Sequence, residues 1–285
     1  MNKVNSITRR SHLWPALLLF VITTPLFTEE SAFVENKTIP GLESGMRYSS
    51  QSREGASIRS FSIPIALPLE ASSGNFLFKG AINYTKKEYE RGDLKESVEG
   101  ASHLNVGGKF RAINDRNYKL TVSETINVPL QTNKNADLPP EAWLHSGNYG
   151  IDSGLSFTYF FQRSSLKFDL EHNWNFARND FEKGESFKAA IILGYGIGNS
   201  LSPANYKPVE LLLGITSRYS YPDRYKSEEL AGTETNTLFI SPGLQLSSSA
   251  VDFWASFEVP IKHQQAPTST KEGPRGSIGI KYQLK

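Results

Sequence analysis

Polar and apolar residues alternate along most of this chain with a period of two. The clearest stretch is 149–178. Tyr149, Ile151, Leu155, Phe157, Tyr159 and Phe161 fall on one side of an extended chain, with Asp152, Gly154, Ser156 and Thr158 on the other. A polar turn at 162–165 follows. The alternation then resumes, with Leu166, Phe168, Leu170, Trp174 and Phe176 against Lys167, Asp169, Glu171, Asn173 and Asn175. Successive side chains of a strand point to opposite faces, so the spacing predicts a hairpin with one apolar and one very polar face.

The same pattern recurs on either side. Phe61, Ile63, Ile65, Leu67 and Leu69 alternate with Ser62, Pro64, Ala66 and Pro68, and two prolines suit a central strand of a soluble sheet poorly. Further strands are expected at 76–85, 104–110, 118–130, 187–197, 209–221, 238–246, 251–261 and 278–284, and a poor one at 44–52, where Met46 and Tyr48 are the only apolar marks. Glu124 sits in an apolar phase, which predicts either a bulge or an outward carboxylate. Short turns at 71–75, 114–117, 162–165, 199–206 and 247–249 alternate with longer, mostly charged loops at 86–97, 131–148, 179–185, 223–236 and 263–276. About twelve strands with no helix between them, all short turns at one end and all long loops at the other, predict an all-β fold, a transmembrane antiparallel β-barrel.

In that barrel the charged mid-strand residues line the lumen: Lys79, Lys109, Arg111, Lys119, Asp152, Lys167, Asp169, Glu171, Lys188, Glu210, Arg218, Asp252, Glu258 and Lys281. Tyr84, Tyr159, Phe161, Trp174, Phe176, Tyr219 and Tyr221 lie toward strand ends, where interfacial girdles form. Alternation alone is symmetric between inside and outside. A secreted soluble β-sandwich binding protein, with apolar faces inward, is therefore the alternative fold.

The amino terminus adds an address. Lys3, Arg9 and Arg10 precede a short apolar run at 13–27, the order of a secretory signal. The expected organisation is a cleaved signal peptide at 1–33, a periplasmic connector at 34–43 and the barrel at 44–285, in the bacterial outer membrane with both ends periplasmic. The expected partners are outer-membrane lipid, the barrel-assembly machinery and a small-molecule solute. A mean hydropathy of −0.39 leaves no apolar span of about twenty residues in the mature chain. The net charge of +2 over 285 residues argues against nucleic acid, and the absence of cysteine removes disulfides and thiolate chemistry.

Candidate chemistry is sparse. Leu193, Gly194, Tyr195, Gly196, Ile197 and Gly198 imitate a phosphate-binding loop, but no helix follows, so the glycines read as space left in the lumen. His103, His145, His172 and His263 show no ligand spacing, so no metal and no cofactor is expected. Ser153 and His172 both fall in the apolar phase of one hairpin, which opens the alternative of an outer-membrane lipid-acting hydrolase. The orienting carboxylate such a site needs is missing from that face, since Glu171 and Asn173 point inward. The chain is accordingly not read as an enzyme. Trp143, in the loop 131–148, is a candidate lid over the barrel mouth.

Three stretches carry a resemblance to a family. They are FSIPIALPLEASSGNFLFKGAINY at 61–84, LNVGGKFRAIND and YKLTVSETINVPLQT within 104–132, and NTLFISPGLQLSSSAVDFWASFEVPI at 236–261. Together they make the chain resemble the outer-membrane barrel transporters of the phenol meta-cleavage degradation (MetA-pathway) family. The resemblance implies a porin-like channel or transporter for passive uptake of small hydrophobic or aromatic compounds, with no catalytic residues to carry over. Such chains usually finish on an aromatic residue, whereas this one ends Tyr282, Gln283, Leu284, Lys285.

Overall fold

The computed structural model describes residues 41–53, 55–70, 75–115, 117–130, 142, 148–176, 181–197, 209–248, 251–263 and 270–283. Twelve of its strands close an antiparallel barrel. In chain order these are β1 (Gly41–Arg53), β2 (Ala56–Glu70), β3 (Phe76–Arg91), β4 (Leu94–Asn114), β5 (Tyr118–Pro129), β6 (Tyr149–Phe161) and β7 (Ser164–Phe176). After the short β8 (Phe181–Glu182) come β9 (Ser186–Ile197) and β10 (Val209–Ser220). The two-residue strands β11 (Arg224–Tyr225) and β12 (Glu228–Glu229) follow, then β13 (Thr235–Ser247), β14 (Val251–His263) and β15 (Lys271–Gln283). Barrel neighbours are consecutive strands of the ring, and β1 pairs with β15 to close it. β8, β11 and β12 form a separate small sheet at the long-loop end.

The outside of the ring is apolar. On β2, Ile63, Ile65, Leu67 and Leu69 are 44%, 55%, 57% and 60% exposed, while Pro64, Ala66 and Pro68 between them are buried. β9, β10 and β15 repeat the pattern with Ile191, Leu193, Leu211, Leu213, Ile278 and Ile280. So much exposed aliphatic surface is stable only where water is absent. In hydrocarbon every backbone polar group needs an internal partner, which a closed ring of strands supplies. The chain is an outer-membrane-type β-barrel that crosses its membrane with strands.

Several expectations are corrected. Residues 86–97 are not a loop. β3 and β4 run through them to a two-residue turn at Gly92 and Asp93, where Gly92 takes a positive φ of 57°. β4 is 21 residues long, against the roughly 9–11 that a membrane crossing needs. Its pairing with β5 begins only at His103, so the first residues of β4 have no β5 neighbour, while β3 stays paired with β2 as far as Arg91↔Ala56. β1 and β2 likewise join through a tight turn, so the long-loop end is not made of long loops alone. The weakly apolar segment at 44–52 is a full strand. β1 starts at Gly41, inside the expected connector, and β15 starts at Lys271, inside the expected loop at 263–276. Trp143, His145, the turn at 199–206 and the proposed signal at 1–33 lie outside the described residues.

Glu124 stays in register on β5, opposite Gly108 on β4 and Ser153 on β6. It is therefore an outward carboxylate rather than the mark of a bulge. The bulges of this sector lie instead on the β3–β4 and β4–β5 ladders, at Asn83/Tyr84 and Arg111/Ile113.

Candidate functional site, the barrel lumen

Alternation sends every second side chain of each strand inward, and closure brings those side chains together. Lys79, Lys119, Asp169, Lys188, Glu210, Asp252 and Glu258 are buried. Lys109, Arg111, Asp152, Lys167, Glu171, Arg218 and Lys281 are half-buried in the same phases. Charges in such surroundings persist only where they are paired or hydrogen-bonded.

Most of the pairs join neighbouring or next-neighbouring strands. Lys188 Nζ donates to Glu171 Oε1 at 3.1 Å across the β7–β9 ladder. Lys167 Nζ stands 3.1 Å from Asp169 Oδ2 on the same strand. Arg218 Nη2 donates to both oxygens of Glu258 at 2.9 Å. Lys281 sits between Asp252 on β14 and Glu43 on β1, its direct partners in register. Glu43 in turn accepts from Lys79 Nζ at 2.5 Å. Glu210 on β10 lies over Gly194 on β9 and accepts from the Ser165 hydroxyl at 3.2 Å. Of the glycines of the phosphate-loop imitation, Gly194 and Gly196 are strand residues, and Gly194 leaves room for a carboxylate; Gly198 lies outside the described residues.

One sector is amide-rich instead. Asp152 accepts from Asn127 Nδ2 at 2.8 Å and from Asn173 Nδ2, and Asn175 Nδ2 donates onward to Asn173 Oδ1 at 2.6 Å. The register makes Asn105, Asn127, Gly150 and Asn175 one rung across β4, β5, β6 and β7.

Aromatic rings also face inward, and sequence reasoning missed them. Phe239 is fully buried, with the guanidinium carbons of Arg218 and Arg275 at 5.7 Å and 5.6 Å from its ring centroid. Trp254 lies over Gly279 on β15, and Lys119 Nζ stands 5.3 Å from the Phe160 ring centroid. Parity was the available signal: Phe239 lies between the outward Leu238 and Ile240, and Trp254 between Phe253 and Ala255. Arg275 and Glu272, which pair with each other, were hidden because 263–276 reads as a polar loop.

Ser153 and His172 are direct cross-strand partners on the outer face. The missing carboxylate is present after all, from a loop: Glu185 Oε2 is 3.3 Å from His172 Nε2. The imidazole also meets the Trp174 ring at 4.1 Å between centroids. It therefore engages the β9 side of its strand, away from β6, and among the described residues no hydrogen bond joins it to Ser153. Also among the described residues, no group of three or more His, Cys, Asp or Glu side chains is placed to hold a metal.

No protein-family model and no curated protein sequence matches the chain. Solved structures do. An outer membrane channel from Pseudomonas putida F1 superposes with a TM-score of 0.69 at 12% identity, covering 90% of this chain and 100% of that one. The β domain of a Bordetella autotransporter gives a TM-score of 0.55 at 15% identity, covering 87% and 100%. The transport unit of the Escherichia coli autotransporter AIDA-I gives 0.53 at 9% identity, covering 92% and 95%. At these identities the likeness is one of fold.

Proposed function

We propose that the chain is a channel of the bacterial outer membrane for passive uptake of small hydrophobic or aromatic compounds, exported by a signal peptide at 1–33. The observation that carries this reading is the self-neutralised lumen. Arg218 with Glu258, Lys188 with Glu171, Lys79 with Glu43, Arg275 with Glu272 and Lys167 with Asp169 satisfy one another on an inward face that also carries amide, hydroxyl and aromatic groups. Such a wall offers a passing ion little net attraction, yet it stays wet enough to admit small solutes. Passive passage fits the strand setting of Gly194 and Gly196, since no helix N-terminus follows them on β9 to cradle a phosphate. The resemblance to MetA-pathway transporters and the fold shared with a Pseudomonas outer membrane channel support the same reading.

Lipid hydrolysis at Ser153 and His172 is the weaker reading: Glu185 supplies a carboxylate to the imidazole, but among the described residues no hydrogen bond joins that imidazole to Ser153. Planar-bilayer conductance of the purified protein, followed by liposome swelling with a series from sugars to aromatic acids, tests the channel. Conductance with faster swelling for aromatic solutes is expected. A protein that conducts nothing and admits no solute is not a channel.

A further inference from the structure

We propose that two copies of this chain associate side by side in the membrane through the outer face of β5, β6 and β7, with Glu124 of each copy bonded to His172 of the partner subunit. The association follows from the barrel fold and does not depend on what passes through the lumen.

A polar row crosses an otherwise apolar wall. Glu124 on β5 is the register partner of Ser153 on β6, and Ser153 is the partner of His172 on β7. All three stand in the outward phase of their strands, in step with Ile126, Leu155 and Leu170, which are 52%, 42% and 44% exposed. Glu124 has six residues of β5 before it and five after, so it lies well inside the membrane belt. Ser44 and Ser217 are outward as well, but each is flanked by apolar residues in its row. Ser44 stands between Ile65 and Ile280, and Ser217 between Ala189 and Leu238. The row on β5, β6 and β7 differs in setting an acid, a hydroxyl and a base side by side.

The row does not satisfy itself. Among the described residues, neither the Glu124 carboxyl nor the Ser153 hydroxyl has a hydrogen-bond or ion-pair partner. His172 turns Nε2 to Glu185 and its ring to Trp174, which leaves Nδ1 without a polar partner among the same residues. Hydrocarbon offers no hydrogen bonds, so a carboxyl left facing it is costly, and a membrane protein keeps one where it meets protein.

The pattern is its own complement. Acid and base flank Ser153 on opposite sides, one strand away each. A two-fold axis normal to the membrane and passing over Ser153 lays the β5 side of one copy against the β7 side of the other. Each Glu124 then faces His172 of the partner subunit, and the contact is made twice. The small Ser153 side chains at the axis let the two walls approach. Strand tilt makes the row climb around the barrel, so the two rows cross, and acid and base differ in height by roughly 6 Å, a span that two side chains of this length bridge. The carboxyl and Nδ1 share one proton between them. A different membrane protein would have to present a base and an acid at this same spacing, whereas a second copy brings both by symmetry.

The chain has no cysteine, so a single engineered thiol reports alone. Ser153→Cys places one at the axis, and Ile280→Cys, outward on β15 and across the ring from β6, is the control. Isolated outer membranes are oxidised with iodine and run on a non-reducing gel. Ser153→Cys is expected to give a reducible band at twice the mass of the chain, and Ile280→Cys none. Adding Glu124→Leu or His172→Leu to Ser153→Cys is expected to lower the cross-linked fraction about tenfold, with heat-modifiable migration of the barrel unchanged. A folded Ser153→Cys protein that stays monomeric, or that joins a protein of another mass, overturns association with a second copy. A cross-linked fraction that Glu124→Leu leaves untouched overturns the acid–base contact on which the association is built.

Discussion

Arg218 on β10 reaches past β13 and gives one nitrogen to both carboxylate oxygens of Glu258 on β14, at 2.9 Å each. The bond spans two ladders and passes beside the buried ring of Phe239, which Arg275 flanks as well. It ties three strands together on the inner wall, where the side chains are largely withdrawn from water.

Removing one partner should cost more than removing both. Glu258→Gln leaves the guanidinium without its counter-charge and is expected to destabilise the barrel by about 3 kcal/mol, whereas Arg218→Met with Glu258→Leu should recover much of that loss. Denaturant unfolding in detergent micelles, followed by heat-modifiable migration on a gel, reads both. Equal losses in the single and double variants would show that the pair contributes nothing specific.

The two faces should respond oppositely to charge. Phe168 and Ile191 are outward neighbours on β7 and β9. Arginine at either position should block stable insertion, because a lipid-facing Arg near the midplane costs about 2–4 kcal/mol. Asp169→Asn, on the inner face of the same strand, should insert normally. Membrane fractionation of the variants checks both outcomes.

Gly194 is a packing requirement. A Cβ there would occupy the space of the Glu210 carboxylate and the Ser165 hydroxyl. Gly194→Leu should therefore lower the folded yield from urea refolding into detergent, and Glu210→Ala in the same chain should restore part of it. A Gly194→Leu protein that refolds like the wild type would place Glu210 elsewhere.

The extension of β3 and β4 beyond the β4–β5 ladder should be dispensable for the barrel, although β3 there is still paired with β2. Lys86 donates to Glu88 at 2.8 Å, and Lys95 stands 2.8 Å from Glu90, pairs that hold both partly exposed carboxyls below their ordinary pKa. Exposed pairs of this kind contribute little to stability. Replacing 87–98 by a two-residue turn should leave insertion and heat-modifiable migration unchanged. Failure to insert would mean that Tyr89, packed with Ala142, Ile58 and Val98, is needed to assemble the ring.

The sequence by itself determined which side chains share a face. A strand repeats every two residues, so the phase of Leu155, Phe157 and Tyr159 also assigns Asp152, Ser156 and Thr158, with no knowledge of neighbours. It also determined the strand count, because every reversal is marked by polar or glycine-containing segments. Partners were not determined this way. Strand tilt and stagger are consequences of closing the ring, and they decide that Arg218 meets Glu258 two strands away while its direct neighbour is Lys188. For the same reason β1, a poor strand at 44–52 by its own residues, takes its full extent of Gly41–Arg53 only through its pairing with β15 and β2. The gap in the β1–β2 ladder at Pro64, between Ser44↔Ile65 and Arg47↔Ser62, belongs to both levels. The proline is written in the chain, but only closure places Gly45 and Met46 beside it and Asn83 across it, because long-range pairing and not local pattern brings β1, β2 and β3 together.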